Sequence, residues 1–336
     1  MKNSWLMLAA LIFLSSCKVN KEGTTSMSIK NEVERTHCIG RSLITLPSSF
    51  AASPVATGIF KLGEIGGRAG SIDVEVHDGE FSNEQFDNKV QMRRIELKNK
   101  EDGAVDNLRL DKRLDSGANL FRIQQIDNAY VSEVNMLRGS SMVTLRLESF
   151  HDKYLEAEEV LGRLIKDIHA IDINNSSKSG PGFCLGGVKI TGDFSSESGS
   201  FRFRDGKGAI FGVEIDTYGL DGEPPLLMRM SGPDSLLYVF DVKHKVLRAG
   251  ERIVAGMRAQ EWLGWAKISD EPEAKNFKFA LDTMRTKPGR LAPSISLTFD
   301  TAQPLEDGTQ TKTVISDDEA MRQWDAVVDS IKSAGI

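Results

Sequence analysis

Histidine and cysteine are scarce in this 336-residue chain, with five of the first and three of the second. His37, His77, His151, His169 and His244 stand singly, with no i, i+4 pair, so the sequence offers no metal-ligand cluster and no redox dithiol. Hydrolase and nucleotide signatures are also missing: there is no G-x-S-x-G, no H-E-x-x-H, no Walker loop and no G-x-G-x-x-G after an expected strand. His37 beside Cys38 does not make a nucleophile and base, because neighbours on a strand point to opposite faces. The expectation is a protein with no catalytic residues, no metal and no cofactor. Charge of one sign is not in large excess. With 42 basic against 48 acidic residues and a net charge of −6, nothing draws the molecule to a phosphate backbone, and nucleic acid is not an expected partner. Ten prolines and 30 glycines are too few for a disordered or collagenous chain.

One apolar run exists, at the N-terminus. Lys2 is followed by apolar residues from Trp5 to Leu14 and then by small ones, the layout of a secretory signal peptide, and the run is too short to span a bilayer. Leu14-Ser15-Ser16-Cys17 fits the bacterial lipobox, in which small side chains before the cysteine let the peptidase close on the scissile bond and leave the thiol open to acylation. Residues 1–16 are therefore expected to be removed and Cys17 to be lipidated. Several acyl chains on one cysteine hold a protein firmly. Lys18, where aspartate would signal inner-membrane retention, points to the outer membrane, facing the periplasm. Residues 17–35 are polar without apolar period and read as a tether.

A short motif recurs 146 residues apart: His37-Cys38-Ile39-Gly40 through Thr45 aligns with Phe183-Cys184-Leu185-Gly186 through Thr191. The flanking elements repeat too. In the first half, residues 57–65 and 71–76 read as a hairpin, whose glycine-rich turn serves no helix N-terminus and is not a phosphate cradle. A helix over 83–99, strands over 120–126, 129–137 and 142–150 and a helix over 154–168 follow. In the second half, strands over 200–204 and 209–216, a helix over 256–266, strands over 277–281 and 294–299 and a helix over 316–333 are expected. Ser316 and Glu319 give the last helix a capping box. The reading is an α+β fold of two similar domains, 36–173 and 182–336, joined by a polar, glycine-rich linker at 174–181, each an antiparallel sheet with helices on one face.

Cys38 and Cys184 sit in register and face an oxidising compartment, so they either form a disulfide between the halves or pack separately as small apolar groups. Trp262 and Trp265, three apart on the expected helix 256–266, read as core. The loop around Leu220, Asp221, Glu223 and Leu226 combines turn formers with apolar residues and is a candidate for partner binding as much as a plain connection.

His37-Cys38-Ile39-Gly40-Arg41 with Leu46-Pro47, then Gly182-Phe183-Cys184, then residues 253–263 around Gly256-Met257-Arg258 and Gln260-Glu261-Trp262, resemble the two-domain immunity proteins that neutralise type VI secretion lipase effectors. Ser42 in place of an aromatic and Gly186-Gly187 in place of a more polar pair depart from that pattern. The resemblance implies an antitoxin role, with two α+β domains clamping a secreted phospholipase in the periplasm and no catalytic activity of their own. The alternative from another class is an outer-membrane lipoprotein with a structural or envelope-assembly role.

Overall fold

A computed structural model describes residues 33–65, 68–98, 107–171, 181–218, 224–231, 243–267, 275–285, 287–305, 308–309, 311 and 315–334. The expected signal segment, Cys17, most of the expected tether and residues 174–180 of the expected linker lie outside them. The first half contains β1 (Glu34–Ile39), β2 (Ser42–Pro47), β3 (Ala51–Ala52), β4 (Val55–Ile65), β5 (Arg68–His77), α1 (Asn83–Lys98), β6 (Leu108–Arg113), β7 (Asn119–Ile126), β8 (Ala129–Arg138), β9 (Ser141–Phe150), α2 (Tyr154–Leu164) and β10 (Ile168–Ala170). The second half follows the same order, with no counterpart of β3: β11 (Phe183–Leu185), β12 (Val188–Ile190), β13 (Ser196–Arg204), β14 (Ile210–Asp216), α3 (Leu226–Ser231), β15 (His244–Val254), β16 (Met257–Lys267), β17 (Lys275–Thr283), β18 (Ser294–Asp300), α4 (Asp317–Asp329) and β19 (Lys332–Ser333). The architecture is mostly antiparallel sheet with few helices.

The halves share one 13-stranded sheet, ordered β15-β16-β17-β18-β14-β13-β4-β5-β9-β8-β7-β6 with β3 beside β13. The order outward from the centre is the same on both sides, and β13 pairs with β4 antiparallel at the join. Residues 33–336 form one compact unit. Two small sheets lock the halves further. Strand β19, from the end of the chain, pairs with β2 of the first half, and β10, from the end of the first half, pairs with β12 of the second. One hydrophobic cluster accordingly runs through both halves, from Ile72, Val134 and Leu145 to Phe211, Phe279, Leu297 and Trp324.

Helices cover both faces of the sheet rather than one. Strand neighbours alternate sides. Phe86, Val90 and Leu97 of α1 pack with Phe121, Ile123 and Val131, whereas Ala157, Leu161 and Leu164 of α2 pack with the cluster that holds Leu120, Val134 and Leu145. On the side of α2, Trp324 of α4 meets Phe279 edge-on at 5.7 Å.

The helix expected over 256–266 is strand β16. Ala255 and Gly256 take φ of +47° and +77° and join β15 to β16 as a two-residue hairpin turn, with Val254 opposite Met257. Residues of β16 are buried on both faces, Ala259, Glu261 and Leu263 on one and Gln260 and Trp262 on the other, which erases the alternation that would have revealed a strand. Trp262 and Trp265 therefore point to opposite sides. The final helix starts as expected, with the Ser316 hydroxyl accepting from the Glu319 amide at 3.2 Å.

Candidate functional site

The duplicated motif forms the join. Cys38 and Cys184 are bonded through their Sγ atoms, with Cα atoms 5.7 Å apart. Two residues on, the Gly40 amide donates to the Cys184 carbonyl at 3.0 Å and the Cys184 amide donates to the Gly40 carbonyl at 2.8 Å. Arg41 adds a bidentate pair to Glu197 of β13, both contacts at 2.7 Å, with the carboxylate fully buried. The hydrogen bonds that Arg41 donates to Glu197 hold its guanidinium above its ordinary pKa. Charge, covalent bond and backbone thus fix the two halves at one place.

On the other side of the sheet, the centre is a polar trough. One cavity of about 460 Å³ lies over Thr57, Ile59, Asp73 and Ser198, and a second of about 470 Å³ lies over Arg202, Arg229, Asp282 and Ser294. Ser200, Glu214 and Asp216 line both, so the trough is continuous across the join. Ile59, at 45% exposure, is the large apolar residue at its middle. Alternation puts these side chains on the face opposite the core, since Val74, Val213 and Leu297 between them are buried.

Helices α1 and α3 rim the trough. At one end, Arg93 of α1 holds the buried Glu133 of β8 at 2.9 Å, and Arg146 of β9 bridges Glu133 and Glu75, each at 3.1 Å. Burial alone pushes the Glu133 carboxyl up, but hydrogen bonds from Arg93 and Asn135 and the charges of Arg93 and Arg146 hold it below the ordinary range. At the other end, Arg229 of α3 pairs with Asp282, and the Leu227 amide donates to Gln260 Oε1 at 3.1 Å. Met92 on α1 and Met228 on α3 are exposed.

Of the loop residues considered for partner binding, Leu220, Asp221 and Glu223 lie outside the described residues. Leu226 is 5% exposed and opens α3 against the sheet, so it is packing and not a presented contact. Apolar residues after a Pro-Pro turn read equally well as loop or as helix start, and the sheet beneath decides. The trough was not visible in sequence, since it is assembled from seven strands of two halves, each contributing from one to three polar side chains. Among the described residues no group of three or more His, Cys, Asp or Glu is placed to hold a metal, and no helix is long and apolar enough to cross a membrane.

The resemblance to immunity proteins of type VI lipase effectors holds. Residues 178–333 match the family described as Tle cognate immunity protein 4 C-terminal domain. The apo structure of immunity protein TplEi of the type VI secretion system from Pseudomonas aeruginosa is similar at 19% identity and a TM-score of 0.67, over 90% of this chain and 97% of that one. A chain of the Tle4-Tli4 complex crystal structure is similar at 19% identity and a TM-score of 0.68, over 91% and 99%. TplEi complexed with "L" peptide gives 19% and 0.65, over 91% and 100%. At that identity these likenesses establish the fold over nearly the whole chain. No curated protein matches this sequence.

Proposed function

We propose that this chain is a periplasmic immunity protein, anchored in the outer membrane through acylated Cys17, that binds and inhibits a cognate type VI secreted phospholipase. The observation that carries the reading is the match of residues 178–333 to the C-terminal domain of Tle cognate immunity proteins. Agreement of the fold with immunity-protein chains over 90% of this one supports it, as does the lipobox. The protein acts as an inhibitor without catalysis of its own. A lipase site that opens toward membrane through a mobile segment is blocked by a partner that holds that segment from two sides. In this reading residues 36–173 and 182–336 are the two arms of the clamp. The trough between α1 and α3 is the surface between them, and two linked contacts raise apparent affinity over either alone.

The test combines binding, inhibition and location. Purified mature protein is expected to capture the phospholipase encoded beside its gene and to abolish its turnover near a one-to-one ratio. Deletion should leave cells sensitive to siblings that deliver the effector. Cys17→Ser should move the protein from the membrane to the soluble fraction or leave it unprocessed. A protein that leaves every neighbouring lipase active and whose loss causes no sensitivity would instead be a structural lipoprotein of the envelope.

A further inference from the structure

Beside the disulfide, on the core side of the sheet, a cavity of about 350 Å³ opens between β1 and the segment 51–56. Ala52, Pro54, Val55 and Phe203 line it with carbon. Two basic groups stand at its wall. His37 is 7% exposed, its ring lies 4.7 Å from that of Phe203, and its Nε2 has no hydrogen-bond partner. A buried nitrogen in that state costs free energy that a bound acceptor or donor would recover. Arg35, two residues along the same strand and so on the same side, lines the same cavity and is exposed, with no acidic partner among the described residues.

We infer that this cavity is a binding site for a carboxylate carried on a short apolar stem. A carboxylate accepts from the guanidinium and, once the wall shifts enough to uncover the buried Nε2, from the imidazole as well, and bonds assisted by the guanidinium charge are the strong ones. A hydroxyl serves the imidazole alone, and a cation is repelled by Arg35. The stem covers the Ala, Pro and Val wall. Asp78, the one acid among the described lining residues, is held away by its Oδ1, which accepts from the Gly187 amide at 2.7 Å and the Ser141 hydroxyl at 2.9 Å. The carboxylate is either an acidic side chain of a protein partner or a free carboxylic acid.

The test uses the mature protein with ¹⁵N-labelled histidines, titrated with phenylacetate and with its neutral isostere phenylacetamide. Phenylacetate should shift the His37 resonances saturably and the amide should not. Arg35→Ala, a surface change expected to leave the unfolding temperature intact, should weaken phenylacetate binding about tenfold or more. An unmoved His37, an equal response to the amide, or unchanged affinity in Arg35→Ala overturns the site. This arm needs no effector, so its failure is separate from any failure of the immunity reading. With the effector present, competition by phenylacetate would identify the source as an acidic side chain of the partner. Effector binding that phenylacetate leaves untouched, with the small acid still bound, would identify a free acid.

Discussion

Gly58 and Gly199 stand opposite each other where β4 of the first half pairs with β13 of the second. A Cβ on Gly58 would lie 2.8 Å from the Ser198 carbonyl oxygen and 3.1 Å from the Leu185 side chain. A Cβ on Gly199 would lie 3.0 Å from the Phe183 ring. Phe183 and Leu185 belong to β11, so the missing side chains are what let the second layer rest on the join. Gly58→Val should therefore destabilise by about 1–3 kcal/mol through overpacking, and Gly199→Ala by less, since a ring can shift. Gly63, with nothing near its would-be Cβ, is the control: Gly63→Ala should stay within about 0.5 kcal/mol in urea unfolding.

The Cys38–Cys184 bond closes 146 residues of chain. In the chain-entropy model a loop of that length contributes about 5 kcal/mol. The backbone pairing of Gly40 with Cys184 and the Arg41–Glu197 pair persist without it. The double variant Cys38→Ala, Cys184→Ala should still fold but melt well below the parent, and reductant should lower the parent toward the variant. Two reactive thiols in the denatured, unreduced parent would show that the bond does not form.

Residues 36–173 or 182–336 expressed alone should not fold as a native half. Each would lack the terminal strand, β19 or β10, that completes its small sheet, and would expose β4 or β13 as a long unpaired edge. Mixing the two fragments should restore dispersed amide resonances that neither shows alone. A well-dispersed spectrum from either fragment would contradict the shared core.

Burial, and then the nearby charge of Arg35, lower the His37 pKa from 6.5 to about 4. The folded state thus holds His37 neutral where the unfolded chain would protonate it. Its contribution is complete above pH 6.5, falls as pH drops toward 4 and levels off below, with a total of up to about 3 kcal/mol. His37→Phe should flatten that part of the stability profile and leave the rest unchanged. A profile of the same slope in the variant would assign the dependence to other groups.

Glu261, 5% exposed, accepts from Trp324 Nε1 at 3.0 Å and from Arg252 Nη1 at 3.0 Å. Removing the carboxylate strands a buried indole N–H and leaves Arg252 to Asp325 and Asp329 alone. Glu261→Ala should cost about 3–5 kcal/mol. Glu261→Gln, which keeps an acceptor for Trp324, should cost less in the same unfolding series.

Several elements were legible because their cause is local. The last helix announced itself through Ser316 and Glu319, the hairpin of β4 and β5 through its glycines, and β7, β8 and β9 through short polar turns. Strand β15 and the nature of β16 were not, since β16 is buried on both faces and its apolar spacing suits a helix equally well. The burial of Leu226 was hidden for a related reason: whether it is presented or packed depends on the sheet under it.

By itself the sequence carried the expectation of export and acylation, the duplication at the two cysteines and the resemblance to immunity proteins, because each is written in residues close along the chain. Only the tertiary structure decided that the duplicated halves share one sheet and exchange their terminal strands, that helices lie on both faces, and that a polar trough crosses the join. Those features are made by pairs such as Gly58 with Gly199 and Arg41 with Glu197, separated by more than a hundred residues. A pattern of period 2 or 3.6 says which face of an element is buried. It does not say which distant element buries it.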